Sequence, residues 1–103
     1  MTGPNKIDSF KAMIAKNPNN ALARFGLANE AAKVGDHLLV VEQLTAYLGM
    51  YEDEGFAYLR LGDSLRELGR REEATAAWAK GVEVAELHGH AGMAEEIRGR
   101  LEG

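Results

Sequence analysis

Glu86, His88 and His90 form an E-x-H-x-H run, where two imidazoles and a carboxylate stand close in sequence. Nitrogen and oxygen donors of this kind bind divalent transition metals. Position argues against that use. His88 ends a predicted helix, where a partly cationic imidazole complements the carbonyl end of the dipole, and His90 lies in a glycine-flanked turn. No fourth ligand stands nearby, so neither a metal site nor a cofactor is expected.

Nucleophilic chemistry is equally poorly served. The serines are Ser9 and Ser64, neither of them in a G-x-S-x-G elbow or beside a histidine, and there is no cysteine. The acid pairs Glu72-Glu73 and Glu95-Glu96 fall in the first turns of predicted helices, where negative charge offsets the dipole. Adjacent glycines that could cradle a phosphate are absent. The chain is therefore expected not to be an enzyme.

Charge narrows the partners. The net charge is −4, and Arg70-Arg71 is the one doublet of positive charge, so the phosphate neutralisation that drives nucleic-acid binding has no source. The longest aliphatic run, Leu38 to Val41, is far too short to span a bilayer, and "MTGPNKIDSF" lacks the apolar stretch of a secretory leader. Expected, then, is a cytoplasmic protein that binds neither nucleic acid nor membrane. With 46% hydrophobic and 27% charged residues it falls among ordinary globular chains, and no linker divides it.

The elements that carry these residues repeat. At an offset of 34 residues Leu27 pairs with Leu61, Ala28 with Gly62, Ala31 with Leu65, Gly35 with Gly69 and Leu44 with Trp78. Large residues pair with large ones and small with small. Apolar residues recur at spacings of three and four on both sides of each glycine, so each unit is a predicted helical hairpin turning at Gly35 or Gly69. Upstream, Asn5 and Asp8 form a capping pair, Phe10 takes the place of Leu44 and Trp78, Pro18 closes the helix, and Asn19 or Asn20 caps the next. Downstream, Gly89 and Gly92 are expected to break a helix begun near Glu72, leaving Ala94, Ile97 and Leu101 as the stripe of a lid.

Tyr58-x2-Leu61-Gly62-x2-Leu65 followed by Ala74-x3-Trp78 resembles the tetratricopeptide repeat (TPR), lacking only its proline, whose place Glu86 holds. Arg24-x2-Leu27-Ala28-x2-Ala31 with Val40-x3-Leu44 is a degenerate copy. The chain thus resembles a small bacterial-type TPR protein. The resemblance implies an all-α helical-hairpin solenoid of about six helices, one domain over residues 1–103. Within it are an N-terminal half-repeat helix (6–18), the degenerate repeat (21–54), the well-matched repeat (55–88) and a C-terminal capping helix (91–102).

The first helix of each unit carries a second face beyond the one its hairpin needs: Leu22, Phe25, Asn29 and Lys33 in one, Phe56, Leu59, Asp63 and Arg66 in the other. By resemblance these positions line a concave groove that receives a peptide or partner segment. Leu22, Phe25, Phe56 and Leu59 would then supply burial, and Asn29, Asp63 and Arg66 orientation. Two other uses of the apolar residues stand beside this one, burial by neighbouring helices and the seam of a homodimeric scaffold. Some TPR proteins clamp a terminal carboxylate. Here Asn29 fits that pattern, but Phe25 stands in the lysine place and Arg60 in that of a second asparagine, which implies a more apolar ligand.

Overall fold

A computed structural model describes residues 5–103. Among them all regular structure is α-helical, in six helices: α1 (Lys6–Lys16), α2 (Ala21–Lys33), α3 (His37–Leu48), α4 (Phe56–Glu67), α5 (Arg71–Leu87) and α6 (Ala91–Glu102). This is the all-α, helical-hairpin class that the repeat implied. Contacts group the chain into two compact units, Met1–Tyr51 and Glu52–Gly103, each with three helices.

In the first unit short polar side chains set the helix starts. Asn5 Oδ1 accepts from the Asp8 N–H at 2.8 Å, and Asn20 Oδ1 from the Ala23 N–H at 3.0 Å, each satisfying a donor that has no intrahelical partner. Asp36 does the same for α3 through the Leu39 N–H at 3.2 Å. The core is Ala23, Leu27, Ala28 and Ala31 of α2 against Val40, Val41, Leu44 and Tyr47 of α3. Helix α1 has no fully buried residue and packs on α2, with the Phe10 ring over Gly26 where a Cβ would stand.

The second unit opens with a carboxylate cap. Asp53 Oδ2 accepts from the Gly55 N–H at 2.8 Å and the Ala57 N–H at 2.9 Å, so α4 starts without a side-chain cap from Gly55 itself. Its buried residues are mostly small: Ala57, Gly62 and Ser64 on α4, Ala74, Ala77, Gly81 and Ala85 on α5. Small residues let helix axes approach, and at the closest point Trp78 fills the gap. A Cβ on Gly62 would fall inside the envelope of the Trp78 indole. Helix α6 adds Ala94 and Ile97 to this core through α5.

The turns that join α2 to α3, α4 to α5 and α5 to α6 have one construction. Gly35, Gly69 and Gly89 have φ of 75°, 77° and 77°, a left-handed conformation that costs glycine least. Around each, the following N–H reaches back to the third-last helical carbonyl: Asp36 to Ala31 at 2.9 Å, Arg70 to Leu65 at 2.9 Å and His90 to Ala85 at 2.8 Å. Two expectations need correction. Gly92 breaks nothing but lies in the first turn of α6, because the left-handed turn at Gly89 alone ends α5. Leu101, expected on the lid's apolar stripe, is 39% exposed, since α6 buries only Ala94 and Ile97.

Candidate functional site

Helix α2 holds Leu22, Phe25, Asn29 and Lys33. Leu22 is 81% exposed, and Phe25 is half-buried, its ring 5.0 Å from that of Tyr47, which in turn lies 5.3 Å from Tyr51. Helices α2 and α3 thus share an aromatic cluster at one end of the unit. Asn29 Oδ1 is buried without a hydrogen-bond donor. A buried, unpaired acceptor carries a desolvation cost of about 1–3 kcal/mol, which makes it the most unusual polar atom of this face. Lys33 points to solvent and pairs with Glu30 at 3.0 Å, a surface contact of little energetic weight.

Helix α4 holds Phe56, Leu59, Asp63 and Arg66. Phe56 is 38% exposed, with the Arg60 guanidinium 5.0 Å above its ring and the Arg60 Nε buried without an acceptor. Leu59 is only 7% exposed, which leaves it little surface to offer a ligand. Asp63 is engaged within its own unit. Its Oδ1 accepts from the Trp78 indole N–H at 3.1 Å and from Arg100 Nε at 2.9 Å, while Oδ2 accepts from Arg100 Nη2 at 3.2 Å. One carboxylate therefore ties α4 to α5 and α6. The same bond holds the Arg100 pKa above its ordinary value. Arg66 lies 5.5 Å over the Trp78 ring and 3.8 Å from Glu67.

The histidines meet a different acid from the one their sequence suggests. Glu86 pairs with Arg98, and Glu54 faces the imidazoles, its Oε1 2.7 Å from His90 Nε2 and its Oε2 3.9 Å from His88 Nδ1. The hydrogen bond from His90 holds the Glu54 carboxyl below its usual value, with the charges of both histidines adding to it and desolvation opposing. Among the described residues no group of three or more histidines or acids is arranged to hold a metal ion. No helix among them is long and apolar enough to cross a membrane.

Sequence reasoning missed Arg100, Glu54 and Tyr47. Arg100 and Glu54 act on partners 37 and 36 residues away, and no local pattern announces either. Tyr47 could have been found, because it lies three residues beyond Leu44 on the α3 face that packs on α2.

No family model matches the sequence. Over 83 residues, 81% of this chain and 79% of the relative, it is 30% identical to a TPR repeat-containing protein of Pseudomonas aeruginosa. It is also similar to the solution structure of a Bordetella parapertussis protein, with a TM-score of 0.80 and 26% identity, covering 97% of this chain and 87% of that one.

Proposed function

Because this chain belongs to the family of TPR repeat-containing proteins, we propose that it is a non-enzymatic protein-protein interaction module that receives a peptide or partner segment on the outer faces of its first helices. The observation that carries the reading is the α2 face: an 81% exposed leucine, Leu22, beside the half-buried Phe25 and an amide oxygen, Asn29 Oδ1, that is buried without a donor. A peptide backbone N–H reaches that oxygen once the Asn29 amide turns outward, while an apolar side chain covers Leu22 and Phe25. On α4 the exposed edge of Phe56, with the Arg60 guanidinium 5.0 Å over its ring, offers an apolar contact beside a cation. Leu59, Asp63 and Arg66 support these faces through packing and hydrogen bonds within their own unit.

Selection of peptides from a displayed random library on the immobilised protein tests the reading. An enriched apolar motif is expected, and Leu22→Ser and Asn29→Ala should each weaken its binding by about 1–2 kcal/mol without lowering the melting temperature. Failure to enrich any motif counts against a peptide-binding face. A wild-type protein that sizes as a dimer, and that Leu22→Ser makes monomeric, assigns the same residues to self-association instead.

A further inference from the structure

Clefts of about 310, 290 and 320 Å³ open on the second unit. In the first, Arg70 and Arg71 share the wall with Glu72 and Glu73; in the second, Arg98 is paired with Glu86 and Glu95. The third is different. Its wall carries Arg66, Arg71 and Arg100 together with Trp78, Ala74 and Leu101, and no carboxylate side chain.

The three guanidiniums are held in different ways. Arg100 is fixed by Asp63 at 2.9 Å, and Arg66 lies over the Trp78 indole with Glu67 3.8 Å away. Arg71 has no hydrogen-bond or ion-pair partner for its side chain among the described residues. It is also the first residue of α5, the positive end of the helix dipole, where a cation is disfavoured. With Arg100 already paired to Asp63, Arg66 over the indole and Arg71 with no partner are the two cations left to receive a small anion. The planar fork of arginine pairs both oxygens of a carboxylate at once.

The geometry points to this cleft as a recognition site for one glutamate or aspartate side chain of a partner peptide, an assignment that rests on the interaction function proposed above. Leu101, 39% exposed, gives the methylenes of such a side chain an apolar contact, to which Trp78 and Ala74, 5% and 1% exposed, add little. A long polyanion is disfavoured, because the chain as a whole carries −4. The ligand is thus a single acid flanked by uncharged residues.

Trp78 is the one tryptophan, and its indole N–H donates to the Asp63 carboxylate that also holds Arg100, so its signal reports on the cleft through that bond in a ¹H–¹⁵N NMR titration. The probes are the peptide acetyl-Ser-Leu-Glu-Leu-Ser-amide, its Gln counterpart and inorganic phosphate. A saturable shift of the Trp78 indole and the Arg71 Nε–H is expected with the Glu peptide. Affinity should fall about tenfold or more with the Gln peptide and in Arg71→Glu, the loss of one charge-assisted pair. Because Arg71 has no partner among the described residues and an acid suits the first turn of α5, Arg71→Glu should melt no lower than the wild type, and a control change at Lys80→Gln should leave the titration unaltered. No saturable shift up to about 10 mM, equal shifts with both peptides, full effect in Arg71→Glu, or equal effect of phosphate would each overturn the assignment. A library-selected peptide that Leu22→Ser releases but Arg71→Glu retains sinks the cleft and leaves the interaction function standing. A Glu-specific shift where no library motif is enriched keeps the cleft and removes that function.

Discussion

Asp63 is the residue on which the second unit converges. Its oxygens accept from the Trp78 indole and the Arg100 guanidinium, joining three helices through one side chain. Asp63→Ala leaves the indole N–H without its acceptor and Arg100 without its counter-ion, so a loss of about 1–3 kcal/mol is expected in a urea melt. Trp78→Ala removes the ring that fills the space beside Gly62 and should cost about 3–5 kcal/mol; a melt within a degree or two of wild type would contradict this packing. Glu54 gives a prediction in pH. Its folded pKa lies below 4.5, because His90 donates to it, so its contribution is fully present above the unfolded value and is lost as pH falls through the lower folded one. The difference in melting temperature between wild type and Glu54→Gln should therefore persist at pH values above 4.5 and close as the solution is acidified below it. At this scale the sequence was least legible. The aspartate looked like an orienting group on a free face because Arg100, which occupies it, stands 37 residues away.

The helices and their turns were legible, for a physical reason. A left-handed residue between two apolar periods is tolerated best by glycine, so Gly35 and Gly69 mark their hairpins in the sequence itself, and both have positive φ. Gly92 misled because glycine is permissive as well as instructive. It sits in α6 with open space around it, where an alanine has no clash and a better helix propensity. The same substitution therefore has opposite signs at two sites. Gly69→Ala should destabilise by about 1 kcal/mol or more, and Gly92→Ala should stabilise by about 0.4–1 kcal/mol. Paired thermal melts check both, and a shared sign would remove one of the two backbone assignments. The α4 faces were half legible. Periodicity separated Leu65 from Phe56 correctly but put Leu59 on the open side, whereas it is 7% exposed, since α4 buries a wider arc than one hairpin contact requires.

Across the molecule the principal helix contacts are α1 with α2, α2 with α3, α4 with α5 and α5 with α6, each between neighbours in the chain. Local topology of this kind closes mainly short loops, so refolding is expected in the microsecond to millisecond range, as measured by temperature jump on Trp78 fluorescence. A phase of seconds would show that distant segments must meet first. This predominance of neighbour contacts also explains why the fold could be read from a period while the candidate site could not. A repeat fixes which helices touch, whereas a binding face depends on which side chains the contacts leave over. The turns carry one more consequence. Asp36, Arg70 and His90 each close the preceding helix through a backbone N–H and stand as the cap position of the next, so no residue in the turn is spare. One inserted residue would swing the following helix by about 100° and carry Trp78 away from Gly62. A side chain on a helix surface can be exchanged without moving its neighbours, whereas the residue count between hairpin helices cannot change: chain length, rather than any single contact, is the variable this architecture holds fixed.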